Sequence, residues 1–228
     1  MQYIKERLQY DSTNSYYWQA KGEIEFSFGS LKEARDSYMN AINYDSLNAG
    51  LYHNLGTVLF SMEKIDSALV FYDKSLSVNN QYDKGYFGKG NVFYKKEKYK
   101  KALKNYTIAI KLKKEPDYYH NRGLTYHKLK RYELALKDFN FAIEINDKDV
   151  EYFYSRGFTH MELENYKEAI NDMNKVLELD PDNAYAFKNL GVIYYELGKN
   201  ELSCKYFHEA RKRGVNIDEK IRNVCRQE

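Results

Sequence analysis

Apolar and small side chains recur along this chain at spacings of three, four and seven residues, which places them on one face of an α-helix. The runs are about a dozen residues long, come in pairs, and the paired pattern itself repeats. A glycine marks the same place in each copy: Gly22, Gly56, Gly90, Gly123, Gly157 and Gly191, at intervals of 34, 34, 33, 34 and 34 residues. Four residues before each glycine stands an aromatic: Trp18, Tyr52, Tyr86, Tyr119, Phe153 and Phe187. Twelve residues after it comes a small side chain: Ala34, Ala68, Ala102, Ala135, Ala169 and Ser203. Four further on is a bulky one (Tyr38, Tyr72, Tyr106, Phe139, Met173, Phe207), and three beyond that Ala41, Ser75, Ala109, Ala142, Val176 and Ala210. Helices this short are marginal in isolation, so each must be held by stacking on its neighbours.

A position with no side chain lets an antiparallel helix approach closely, and large residues at fixed offsets fill the space beside that contact. The set of offsets resembles the tetratricopeptide repeat, which couples an aromatic, a Leu-Gly pair, a Tyr, two small residues and a terminal proline. The run from Val150 to Asn183, ending Leu179-Asp180-Pro181, is a good example. The resemblance implies an all-α fold, a right-handed superhelical α-solenoid of antiparallel helix pairs. We place six repeats at 15–48, 49–82, 83–115, 116–149, 150–183 and 184–217, in one solenoid domain. Residues 1–14 read as the second helix of an incomplete repeat, with Ile4 and Leu8 in its apolar slots. Beyond Gly214, residues 218–228 are expected to form a capping helix over the last apolar face.

The chain departs from the family pattern in two ways. The leucine before the glycine survives as Leu55 and Leu190, while Lys21, Lys89, Arg122 and Arg156 stand elsewhere; their stems are expected to pack and their charged heads to reach solvent. Of the two prolines only Pro181 falls at a repeat terminus, so Asp, Asn and Ser should close the other junctions.

Composition adds limits. The net charge is only +3, yet residues 83–115 carry eleven lysines against three acids, and residues 150–183 three basic residues against eight acids. Such a dipole can steer partners or bring copies together head to tail. The lysine run from Lys95 to Lys101 straddles a helical turn and reads as a solvated face, and the acidic fifth repeat interrupts any phosphate track, so nucleic acid is not the expected partner. No apolar stretch is long enough for a membrane span, and the N-terminus lacks a signal-peptide profile, which tilts the otherwise unknown localisation towards the cytoplasm. Cys204 and Cys225 suggest neither a disulfide framework nor a metal site, and are expected to be reduced packing residues. His120 and His127 are two helical turns apart, too far to share a metal, and His160 takes the slot of a core tyrosine. Gly85, Gly88 and Gly90 lack the Gly-Lys-Ser/Thr ending of a phosphate loop. No constellation converges on catalysis, and neither an enzyme nor a cofactor is expected.

In the family, first helices line a concave groove. Carried onto this sequence, its groove-facing offsets give His53 and Phe60; Lys84, Phe87, Asn91, Tyr94 and Lys95; His120, Leu124, His127 and Lys128; and Tyr154, Phe158 and Met161. Less central positions include Gln19, Glu23, Thr57, Asp117, Glu151, Glu162, Tyr185, Lys188, Val192 and Glu196. The middle of this set, from Phe87 to Met161, is unusually apolar and is rimmed by Lys84, Lys95 and Lys128, a composition that marks interaction sites. The carboxylate clamp by which some relatives hold chaperone termini is not complete: Asn54 and Lys84 match, but Gln19, Glu23 and Gly88 do not. The expected function is thus a protein-interaction scaffold whose groove takes a peptide segment or protein with apolar anchors and some acidic character. The alternatives are a self-associating assembly protein, and the repeat part of a larger enzyme or sensor.

Overall fold

The computed structural model describes residues 2–217 and Cys225. Among them there are thirteen α-helices and no strand. A lead helix α1 (Gln2–Tyr10) precedes six antiparallel pairs. These are α2 (Ser15–Ser27) with α3 (Leu31–Tyr44), α4 (Ala49–Ser61) with α5 (Ile65–Val78), and α6 (Asp83–Lys95) with α7 (Tyr99–Leu112). Then follow α8 (Pro116–Lys128) with α9 (Tyr132–Ile145), α10 (Val150–Glu162) with α11 (Tyr166–Leu179), and α12 (Ala184–Glu196) with α13 (Asn200–Lys212). The chain divides into two compact units, residues 1–114 and 115–228, where the sequence reads as one array. The division falls where the repeat is one residue short and Lys113-Lys114-Glu115 leads directly into Pro116 at the start of α8. The predicted cap over 218–228 lies, apart from Cys225, outside the described residues.

Within each pair the turn has one solution. Gly29, Glu63, Glu97, Lys130, Glu164 and Gly198 take the same left-handed conformation, with φ between +56° and +75°. The amide that follows each of them reaches back five residues to a carbonyl of the last helical turn, at 2.8–2.9 Å, which satisfies a carbonyl the ending helix leaves free. Between pairs, side chains do the capping. Asn14, Asn48, Asp149 and Asn183 accept hydrogen bonds from first-turn amides of α2, α4, α10 and α12. At three of these junctions an aspartate three residues earlier (Asp11, Asp45, Asp180) accepts from the capping asparagine's own amide. That Asp-x-x-Asn closure is the polar junction chemistry expected from the scarcity of proline.

The repeated glycine works by letting a bulky side chain lie on the backbone of its partner helix. A Cβ added at Gly90 would sit 2.4 Å from the ring of Tyr106; at Gly56, 2.8 Å from Tyr72; at Gly123, 2.7 Å from Phe139; and at Gly191, 2.7 Å from Phe207. At Gly157 it would meet the methyl of Met173 at 2.7 Å, and at Gly22 only the ring edge of Tyr38 at 3.1 Å. The remaining small positions, Ala34, Ala68, Ala102, Ala135 and Ala169, are fully buried. Gly85 and Gly88, which a phosphate loop would have exposed, instead admit Leu76 and Tyr72 of the preceding repeat.

The cations before the glycines are placed differently from expectation. Three of the charged heads themselves lie over the aromatics one turn earlier: Lys21 Nζ over Trp18, and the guanidinium carbons of Arg122 over Tyr119 and of Arg156 over Phe153. Their heads do not simply reach solvent. Arg122 donates to both carboxylate oxygens of Asp138 at 2.8 and 2.7 Å. Arg156 does the same to Asp172 at 2.9 and 2.6 Å, with Asn140 as a further acceptor. Lys21 pairs with the buried Glu25, and Lys89 with Asp73. Arg122 and Arg156 clasp the second helix of their own pair, Lys89 reaches α5 of the preceding pair and Lys21 pairs along its own helix, so none of the four forms a row waiting for an anion.

The cysteines require a second correction. Cys204 on α13 and Cys225 are joined as a disulfide, with Cα atoms 5.4 Å apart. Gly214, at φ +87°, turns the chain after α13 so that Ile217 is buried against Phe207 and Ala210. Cys225 joins that same cluster, beside the exposed end of the last pair. Closing a loop of 21 residues restricts the unfolded chain by about 3 kcal/mol in the loop-entropy treatment.

Two stability outcomes follow. Gly90→Ala should lower the urea midpoint far more than Gly22→Ala, with a loss of about 3 kcal/mol against less than about 1 kcal/mol, because the added methyl would overlap the Tyr106 ring at 2.4 Å and only press on that of Tyr38 at 3.1 Å. Asp138→Ala should cost about 3 kcal/mol by stranding the Arg122 guanidinium, whereas the double change R122L/D138L, which restores an apolar contact, should cost less than that single substitution.

Candidate functional site

Among the first helices, α4 lies beside α6 in one unit and α10 lies between α8 and α12 in the other, and all fourteen candidate residues are on these helices. They fall into groups with different jobs. The three histidines are structural neighbours of the next helix. The His53 ring lies 5.6 Å from Tyr72 and 5.7 Å from Tyr82. His120 Nε2 is 2.9 Å from Ser155 Oγ, and His127 Nδ1 is 2.9 Å from Thr159 Oγ1, so both tie α8 to α10. Phe60 and Met161 pack against the cores of their units. Lys95 is 3.3 Å from Glu63 of the preceding repeat, and Lys96 pairs with Asp66, so part of the lysine run is neutralised internally. Lys84 and Lys128 are exposed.

The aromatic candidates stand between core and solvent. Phe87 leans on Tyr106 at 5.8 Å and Tyr94 on Tyr99 at 5.7 Å. Phe158 is 37% exposed and rests on His127 at 5.4 Å. Tyr154 is half-buried, with Asn189 as hydrogen-bond partner, and burial raises its hydroxyl pKa. With Glu151, Asn183 and Tyr185 it lines a cleft of about 270 Å³ between α10 and α12. A second open hollow of about 500 Å³ lies in the other unit, at the junction residues Asp45, Asn48, Asn79 and Tyr82.

One feature escaped sequence reading although its signal was there. The residue after each repeat glycine lies on the first-helix face, and its polarity matches the bulky residue fifteen positions on. Tyr72 hydroxyl is 3.3 Å from Thr57 Oγ1, and Tyr106 donates to Asn91 at 2.8 Å. Tyr38 lies close enough to Glu23 for that charge to raise its pKa, second to burial. In the other unit the bulky residues are Phe139, Met173 and Phe207, and the facing positions are Leu124, Phe158 and Val192, with Val192 packed against the Phe207 cluster. One unit therefore presents a polar floor, Glu23-Thr57-Asn91, and the other an apolar one, Leu124-Phe158-Val192.

Family signatures described as TPR repeat match residues 90–130 and 159–198, and those described as Tetratricopeptide repeat match residues 49–82 and 116–149. Together they cover more than half of the chain. This chain is a tetratricopeptide-repeat protein. Solved tetratricopeptide-like structures agree. YrrB, described as a TPR protein with an unusual peptide-binding site, is 28% identical over 84% of this chain and 98% of its own, with a TM-score of 0.68. The structure reported for pilF of Pseudomonas aeruginosa shares the fold at 14% identity, covering 96% and 99% of the two chains with a TM-score of 0.81. The Cut9–Hcn1 assembly of the APC/C contains a chain that matches 98% of this one over 44% of its own length, at 15% identity and a TM-score of 0.82. No curated protein sequence matches the chain. Among the described residues no helix is long and apolar enough to cross a membrane, and no group of three or more His, Cys, Asp or Glu is arranged to hold a metal.

The inter-helix histidines give the tetratricopeptide stack a pH dependence. Burial lowers the pKa of His53, His120, His127 and His160 from the ordinary value near 6.5, and Asp117 and Asp149 pull His120 back only in part. Nδ1 of His160 is buried without a hydrogen-bond partner among the described residues. The unfolded chain therefore binds protons first, and stability present above pH 6.5 is lost as pH falls below it. The thermal midpoint should be level above that value and fall towards pH 5, and the H120Q/H127Q variant should show a shallower fall.

Proposed function

We propose that this tetratricopeptide-repeat scaffold is non-catalytic and that its first-helix faces bind a polypeptide partner carrying large apolar anchors, with acidic residues opposite Lys84. The observation that carries the reading is that each unit holds ring side chains half out of the core, Phe87 and Tyr94 in one and Tyr154 and Phe158 in the other. Aromatics fixed by packing on one side lose little freedom when the other side is covered, which suits them to anchor a partner. The peptide-binding site named for YrrB, a chain of similar length, supports the same class of ligand.

A magnitude sets the size of the partner. Covering four such side chains gains roughly 8 kcal/mol at about 2 kcal/mol each, while association costs about 4–15 kcal/mol. A short apolar peptide would bind weakly. A longer segment or a folded partner, adding charge pairs along the rim, reaches useful affinity. The test is affinity capture with the intact chain and with Phe87→Ala, Tyr154→Ala and Phe158→Ala. Loss of about tenfold in partner affinity per anchor is expected. Capture unchanged by all three substitutions would remove the reading.

A further inference from the structure

Resting on that reading, the cleft between α10 and α12 adds a specificity the sequence did not suggest. We infer that it receives a basic side chain, arginine or lysine, from the partner segment. Three observations converge on a cation. The first is shape: Tyr154 and Tyr185 line a hollow of about 270 Å³, large enough for a guanidinium or ammonium head against an aromatic face. The second is an uncommitted charge. Glu151 lines the same hollow, is exposed, and its carboxylate has no ion pair among the described residues, unlike Asp138 and Asp172, which are clasped by arginines.

The third is the charge of the surroundings. The amino end of α12 brings about half a positive charge to the hollow. Against it stands Asp180, which accepts from Asn183 at 3.0 Å, in addition to Glu151. Asn183 is largely committed to capping the helix: its oxygen accepts from the Ala186 amide at 3.0 Å and one of its two N–H groups donates to Asp180. Lys188, one turn along α12, does not line the cleft. A cation placed there gains the carboxylate and the ring faces together, and an anion gains neither.

The neighbouring floor sets the rest of the segment. Phe158 is exposed one helical turn from Tyr154 on α10, so the occupant carries a large apolar residue close to its basic one. This differs from the polar floor of the other unit, where Lys84 calls for an acid.

Selection on the full chain of displayed peptides long enough to cross α8, α10 and α12 tests the assignment. Enriched peptides should pair arginine or lysine with a large apolar residue. Their affinity should fall about tenfold with Glu151→Lys and about fivefold with Tyr185→Ala, both exposed positions whose replacement leaves the core intact. Selection on the Glu151→Lys chain should lose the basic residue. Enriched peptides without a basic residue, or basic peptides indifferent to both substitutions, overturn the cation assignment; if these peptides still lose affinity with Phe158→Ala, the first-helix face survives as the binding surface. Peptides indifferent to Phe158→Ala and Phe87→Ala as well, or no enrichment at all, overturn both.

Discussion

Everything in this molecule depends on one contact repeated six times, a bulky side chain laid on the bare backbone of a glycine sixteen residues earlier. It draws the two helices of each pair together and leaves room beside it for a small buried residue, alanine in five pairs and Ser203 in the sixth. The contact also has a far end. Where the bulky residue is tyrosine, its hydroxyl passes the glycine and emerges at the first-helix face, where Thr57 or Asn91 meets it. Where it is phenylalanine or methionine, the facing position is apolar. Core and first-helix face are thus the two ends of one side chain, and a change in the core letter changes the chemistry of that face.

The ion pairs show the same economy of position. A tetratricopeptide leucine can be replaced by arginine because the second helix offers an aspartate at the matching height, and because the aromatic one turn earlier lies under the guanidinium itself. Bidentate pairing of an almost buried carboxylate is unforgiving of the loss of either partner. Such clasps make repeats four and five less interchangeable with the others than their shared helices imply.

The helical offsets placed every candidate on a first helix, but they did not distinguish a residue that faces outward from one that leans on its neighbour. His120 and His127 share a helical face with Leu124, and only the approach of α10 turns them into bridges to Ser155 and Thr159. Lys95 reads as a free rim charge until Glu63, thirty-two residues earlier, comes within reach. Glu151 and Tyr185 sat at peripheral offsets in sequence, and their importance arises from a cleft that exists only when α10 and α12 stand together.

The sequence by itself determined the helices, their pairing and the turns between them, because those rest on contacts within about thirty-four residues whose letters recur six times. The polar junctions were equally legible, since a cap acts on amides two or three residues away. Only tertiary structure decided where the charged heads of Arg122 and Arg156 go, that Cys204 and Cys225 meet, that the chain divides at residue 114, and which aromatics remain half uncovered. Those outcomes depend on the distance and angle at which successive helices come to rest. Small shifts in that packing move a side-chain head from solvent to a partner, and no local pattern encodes them.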